Sequence, residues 1–394
     1  MTTVLRSEEL FSNRNLFAQG IMAGQLTFLA QDARGMAGTI DQAMSVRAQA
    51  DRTINNLAIG LRALGQNLDD IVSLWVLLTD YHDLSEVAGA IAAVFSESKK
   101  PYPATTFLGI TGLEAGCRVR MDAVATRSAD RQQIAAPDVP LAAGSHCHGV
   151  RTDDLLFLSG MDAADDAAGV SGEVPSQVQT LEILNRLDSV LKSENLSLRH
   201  ICRTFMFLKG SEHRPGYGAA RRKRYDGIFE ATEFPPNSGI MVKDLGENIL
   251  LRSVAIASRQ EWQLIASPRV RLSPGSFSQS FRVGDWLFVA GQDAIDLDHE
   301  VEAVGDLAGQ TEATLNYLRY ILEAAGGSLG DLVKTTVYLV AGQDRSVFES
   351  AWENFFRRQG MAERPAGHHF EVKELAPQVL VEIDGVALLT RLSD

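Results

Sequence analysis

The chain has 394 residues, 45% of them hydrophobic, enough to bury a sizeable core and to form two or three domains. A formal net charge of −13, spread along the chain, favours solubility and works against a polyanionic partner, because nucleic-acid binding rests on Lys and Arg neutralising phosphates. The polar start Thr2-Thr3-Val4-Leu5-Arg6, the lack of any long apolar stretch and an odd count of cysteines (Cys117, Cys147, Cys202) argue against a signal peptide, a membrane span and a disulfide framework, so a reducing cytoplasmic setting is expected.

The first elements are two short strand-like runs, the second being Leu26-Thr27-Phe28-Leu29, followed by a polar, Gly-containing turn region. Ile54, Leu57, Leu61 and Leu64 then keep i, i+3 and i+4 spacing and predict an amphipathic helix. A turn at Leu64-Gly65-Gln66-Asn67 leads into the continuous apolar run from Ile71 to Leu78, which reads as a strand buried on both faces. A second helix carries Leu84, Val87, Ile91, Val94 and Phe95, and two strands close the unit, the last alternating from Val119 to Val124.

The same order then returns twice. Asn67-Leu68-Asp69-Asp70-Ile71-Val72, Ser197-Leu198-Arg199-His200-Ile201-Cys202 and Ser328-Leu329-Gly330-Asp331-Leu332-Val333 recur about every 130 residues. The helix stripe reappears as Leu181, Leu184, Leu187 and Leu191 and as Leu315, Leu318, Ile321 and Leu322, and the buried strand as Ile201 to Leu208 and Leu332 to Leu339. Arg221-Arg222-Lys223-Arg224, on a helix ending at Ile228 and Phe229, reads as a solvated face. Three modules are therefore expected at 1–130, 131–262 and 263–394, joined by short polar linkers at Ser128-Ala129-Asp130-Arg131-Gln132-Gln133 and Ser258-Arg259-Gln260-Glu261. The order ββαβαββ predicts an α+β sandwich with both helices on one face of a mixed sheet, and the three bare faces would be buried by packing around a pseudo-threefold axis.

The module resembles the RidA/YjgF family. Gly275-Ser276-Phe277-Ser278-Gln279, Phe288-Val289-Ala290-Gly291-Gln292, Val381-Glu382-Ile383-Asp384, Leu77-Leu78-Thr79-Asp80 and Pro103-Ala104-Thr105-Thr106 carry the likeness, which extends over essentially the whole chain. The resemblance implies a chorismate-mutase-like fold, an intramolecular pseudo-trimer that is a monomer or a dimer of such units, and hydrolysis of small carboxylated imines or enamines in pockets between repeats. It implies no cofactor and no metal, a small-molecule substrate, and neither nucleic acid nor membrane as partner.

In such a family an arginine clamps the substrate carboxylate, a glutamate orients water, and a tyrosine and a serine face the same pocket. The arginine position falls here on Thr105, Asn237 and Gly367, the glutamate position on Arg120, Arg252 and Glu382, the tyrosine position on Phe17, His146 and Phe277, and the serine position on Ala30, Ser159 and Ala290. No copy carries the full set. Arg120 and Arg252 are candidates for the missing clamp, with Ser159, Asn237 and Thr105 as further substrate contacts. His146 and His148 share one strand face, so they, His369 and Glu382 are expected to gather between the second and third repeats as the proton-transfer site. A changed activity of the chorismatase kind, or metabolite binding without turnover, are the alternatives.

Overall fold

The computed structural model describes residues 2–12, 15–96, 101–164, 172–273 and 276–389; Met1 and Gly275 of the third-copy motif lie outside them. Module 1 contains β1 (Thr2–Val4), β2 (Ile21–Ala23), β3 (Leu26–Asp32), α1 (Val46–Ala63), β4 (Ile71–Leu78), α2 (Leu84–Phe95), β5 (Ala104–Gly109) and β6 (Val119–Thr126). Module 2 contains β7 (Arg131–Ile134), β8 (Gly149–Thr152), β9 (Leu155–Leu158), α3 (Ser176–Ser193), β10 (Ile201–Leu208), α4 (Arg214–Tyr225), β11 (Asn237–Met241) and β12 (Leu251–Ser258). Module 3 contains β13 (Trp262–Ile265), β14 (Ser280–Val283), β15 (Trp286–Asp293), α5 (Leu307–Ala324), β16 (Leu332–Val340), α6 (Arg345–Arg358), β17 (Ala366–Val372) and β18 (Val381–Leu388).

Each module folds as one six-stranded mixed sheet, in the order β1-β2-β3-β6-β4-β5 and its equivalents, so the α+β class stands. Each opens with three strands where the sequence suggested two. The additional strand β7 comes from the expected linker: Arg131 to Ile134 pair antiparallel with β8, and only Ile134 is fully buried. A strand that is polar because it lies at a sheet edge is easily taken for a linker. Trp262, placed at the end of the second repeat, already belongs to β13, and α4 stops at Tyr225, leaving Ile228 and Phe229 in the following turn, where Gly227 has φ +72°.

The recurring Asn/Ser-Leu-x-Asp/His segment has a local cause. It forms one turn of 3₁₀ helix closed by a capping box, in which Asn67 pairs with Asp70, Ser197 with His200 and Ser328 with Asp331. That turn aims the chain into β4, β10 and β16, of which β4 and β10 are buried along their full length. They are apolar on both faces because both faces are covered. On one side the module's own helices pack, as Leu57, Leu61 and Ile91 do against Leu74 and Val76. On the other, the three sheets meet one another: Ile21, Phe28 and Val72 share a core with the equivalent Val150, Phe157 and Cys202 and with Phe281, Phe288 and Val333. A second shared core sets Trp75 edge-on to Phe205 at 4.7 Å and Phe207 at 5.4 Å, with Tyr338 alongside.

Two ion pairs cross this centre: Lys334 Nζ lies 2.7 Å from Asp122, and Arg203 lies 3.2 Å from Asp384, which also accepts hydrogen bonds from Tyr338 and Ser238. At the corresponding third pair of positions stand the uncharged Ser73 and Val254. Among the described residues no helix is long and apolar enough to cross a membrane.

Candidate active site

Backbone hydrogen bonds stitch the modules at three equivalent seams: Ala18 N–H to Pro365 O joins module 1 to module 3, Gly160 N–H to Thr105 O joins 2 to 1, and Ser278 N–H to Phe234 O joins 3 to 2. Each seam collects the tyrosine, serine and glutamate positions of one module and the arginine position of its neighbour. His146, His369 and Glu382 therefore lie at three different seams. The expected cluster of His146, His148, His369 and Glu382 does not form, because each module presents its closing strand to one neighbour and its arginine-position strand to the other.

The seam between modules 1 and 3 is nearly filled, leaving a cavity of ≈ 70 Å³. Arg120, expected as a carboxylate clamp, donates to Asp32 (2.6 Å), to Glu114 (2.8 Å) and to the His369 carbonyl (2.8 Å). Arg34 holds the same two carboxylates at 2.8 Å each. Burial pushes both carboxyls upward, but at Asp32 the two guanidinium groups outweigh it and lower the carboxyl, and at Glu114 the neighbouring His369 together with the same arginines holds it well below the usual carboxylate range. Gly367 sits where a Cβ would come within 2.3 Å of the Thr335 carbonyl, so no side chain, let alone an arginine, fits. His369 is packed among Phe17 and Phe348, and its Nε2 lies 3.0 Å from Glu114 Oε1. With Glu349, whose carboxyl burial raises, these are the one grouping of metal-ligand atoms among the described residues, all within 4.8 Å of one another. Glu114 is already matched by two arginines, which leaves little negative charge for a cation.

The seam between modules 2 and 1 is closed. All five N–H groups of Arg252 are used: two reach Asp162 (3.0 and 2.6 Å), and the others reach the Tyr81 hydroxyl (2.8 Å) and the carbonyls of Phe107 (2.6 Å) and Leu245 (3.0 Å). Arg252 is thus a fastener between modules and not a clamp. Ser159 donates to Cys147 O, Thr105 donates to Pro103 O, and the His146 ring stacks on Tyr102 with centroids 4.4 Å apart. His148 accepts from Ala136 N–H and donates through Nε2 to Val139 O. Gln19 and Gln279 tie down the same loop at the equivalent positions, so His148 is a structural staple.

The seam between modules 3 and 2 is open, with a cavity of ≈ 390 Å³ lined by Asn237 and Glu382. Glu382 is 6% exposed, and no hydrogen bond or ion pair engages its carboxyl among the described residues. Burial, reinforced by the nearby Asp293, raises the carboxyl to about 8 against the pull of Arg214. Gly291 makes room for it: a Cβ there would stand 1.8 Å from Glu382 Oε1. Asp293 is taken by Arg271 at 3.0 Å, and Asn237 accepts from the Thr204 hydroxyl at 2.9 Å. One face of α4 completes the wall through Arg214, Tyr217 and Arg221.

Those arginines escaped the sequence reading, which treated the basic run as solvent-facing. Arg222 and Lys223 are exposed, as expected, but Arg224 is half-buried and pairs with Asp188, and Arg221 is buried against Tyr217, Tyr225 and Phe234 and donates to Pro235 O at 3.0 Å. The spacing of Arg214, Tyr217 and Arg221 on one helix face was the available signal.

The family described as Endoribonuclease L-PSP matches residues 12–127, 136–258 and 269–389, and the chain belongs to it three times over. A RutC family protein of Pyrococcus horikoshii is 37% identical over 113 residues, 29% of this chain and 86% of that protein. The 2-iminobutanoate/2-iminopropanoate deaminase of Escherichia coli is 31% identical over 124 residues, 32% of this chain and 95% of the enzyme. A chorismatase crystal structure covers 93% of this chain and 100% of its own at a TM-score of 0.59 and 15% identity, a likeness of fold.

Proposed function

We propose that this three-module member of the family is a hydrolase that adds water across the C=N bond of a small carboxylated imine in the cavity between modules 2 and 3. The observation that carries the reading is Glu382, a buried carboxyl without a protein partner that is held to about 8 and so is protonated at neutral pH. The relatedness to a 2-iminobutanoate/2-iminopropanoate deaminase supports the reaction type.

In this reading Arg214 holds the substrate carboxylate and Asn237 borders the reacting carbon. Glu382 donates its proton to the imine nitrogen, which makes the carbon more electrophilic. A water oxygen bonds to that carbon while the C=N electron pair moves to nitrogen, and the proton released by the water returns to Glu382. Glu382 then protonates the amine of the carbinolamine, the C–N bond breaks, ammonia leaves, and the hydroxyl proton restores Glu382 as the carbonyl forms. Imine and water thus become 2-oxo acid and ammonia with no external oxidant or reductant.

A second reading draws on the same acid. A protonated buried carboxyl also suits hydrolysis of the kind that the fold neighbour's name, chorismatase, implies. An RNA strand suits the net charge of −13 poorly. The three buried free cysteines suit a reducing compartment.

The test is turnover of imines generated in situ from amino acids, with chorismate assayed alongside. Glu382→Gln is expected to lower turnover by a factor of about one hundred or more, and kcat of the parent to fall as pH rises through about 8, where the acid form is lost. Undiminished turnover in the variant would remove Glu382 from the chemistry.

A further inference from the structure

The face that each module's second helix turns to its seam differs in kind. At equivalent positions α2 presents Leu84, Val87, Ala88 and Ile91, α6 presents Arg345, Phe348, Glu349 and Trp352, and α4 presents Arg214, Tyr217, Gly218, Arg221 and Arg222. The α2 face includes buried Val87 and Ile91, and Arg345 of α6 is paired with Glu371 at 2.8 Å. The α4 residues follow i, i+3, i+4, i+7, i+8 spacing, one face of a helix, and all five line the cavity between modules 2 and 3.

Their charge is not balanced by the protein. Arg214 donates to Gly239 O at 3.1 Å and meets no carboxylate within ion-pair distance. Arg221 is tied to the carbonyls of Pro235 and Ser276. The exposed Arg222 side chain has no hydrogen bond or ion pair among the described residues. Of the acidic residues that line the cavity, Asp293 is matched by Arg271, and Glu382 is the proton donor of the reading above. Three guanidinium groups thus face one space with no counter-charge. A single substrate carboxylate neutralises only one of them.

We infer that the substrate carries two anionic groups, as a small 2-imino dicarboxylate does, one held by Arg214 beside Glu382 and the other by Arg222 at the cavity mouth. Eight residues separate the two arginines, about 12 Å along the helix axis, and their flexible side chains can close on carboxylates a few bonds apart. Buried Arg221 adds charge to the wall without itself reaching out. This inference rests on the proposed site, but it predicts binding independently of turnover.

Calorimetric titration of the full chain with 2-oxoglutarate and 2-oxobutyrate, stable ketone counterparts of a dicarboxylic and a monocarboxylic imine, tests it. 2-Oxoglutarate is expected to bind at least about tenfold more tightly, the scale of one charge-assisted contact. Arg222→Ala should abolish most of that preference while leaving 2-oxobutyrate within about threefold, and Arg214→Ala should weaken both ligands. Equal affinity for the two ligands, or an equal loss for both in Arg222→Ala, would overturn the inference; Arg222 is exposed, so its variant is expected to fold and its melting curve verifies this. A dianion preference without turnover of any imine would sink the hydrolase reading and leave this one standing. Equal turnover of mono- and dicarboxylic imines would do the reverse.

Discussion

At the second position of the closing strand the seam between modules 2 and 1 carries Arg252, and the seam between modules 3 and 2 carries Glu382. The surroundings follow the sign of that residue. Asp162 and the Leu245 carbonyl of its own module orient Arg252, whose other N–H groups bind the Tyr81 hydroxyl and the Phe107 carbonyl of the neighbouring module. Glu382 meets a like-charged neighbour, Asp293, whose charge Arg271 absorbs, and it is left facing a cavity. The same backbone thus yields a fastener where the side chain is satisfied and an unpaired, cavity-facing carboxyl where it is not. The seam between modules 1 and 3 follows the first pattern, with Asp32 and Glu114 around Arg120.

This contrast can be broken first at its fasteners. Removing one partner of a buried pair leaves the other uncompensated, so Arg252→Ala is expected to destabilise the fold by about 3–5 kcal/mol in chemical denaturation. A loss below about 1 kcal/mol would mean that the Arg252 contacts to Tyr81 and Phe107 do not hold the seam.

The open seam responds in the opposite direction. The Glu382 carboxyl is raised from an ordinary 4.5 to about 8, so the stability tied to its neutral form is complete below the unfolded value and is lost as pH rises through the folded one. Glu382→Gln keeps the shape and cannot ionise. Its melting temperature should equal that of the parent near pH 4 and exceed it at pH 9, with a gain bounded by about 1.4 kcal/mol per unit of displacement. A variant that is less stable at pH 9 would show that the carboxylate is paired.

The smallest effects are expected at the histidines of the closed seam. His148→Gln should change stability by less than about 1 kcal/mol, because glutamine already staples the equivalent loops, while His148→Ala should cost about 1–2 kcal/mol for the lost hydrogen bonds. His146→Ala should leave turnover within about twofold, since its ring stacks on Tyr102 away from Glu382's cavity; a hundredfold loss, the scale of a general acid–base group, would restore His146 to the chemistry.

The sequence by itself determined the module, its threefold use and its burial pattern. These are local or periodic properties: a capping box before each buried strand, apolar residues at helical spacing, and β4-like runs apolar on both faces. The family resemblance added Glu382 and Asn237 as candidates, by counting from motifs that recur in each copy. The edge strand β7 was hidden by its polarity, which suits an edge as well as a linker.

Only the tertiary structure decided which candidates meet. The cyclic arrangement sends His146, His369 and Glu382 to separate seams, although a linear sequence lets any of them converge. It also decided which cations are free. Arg120, Arg252 and Arg214 are alike in one-dimensional sequence, but the first two are saturated by acids and carbonyls from elements far away in the chain, and the third is not. Availability of a charge depends on every oxygen brought near it, and those oxygens are chosen by tertiary packing, within a module and across its seam, and not by local spacing.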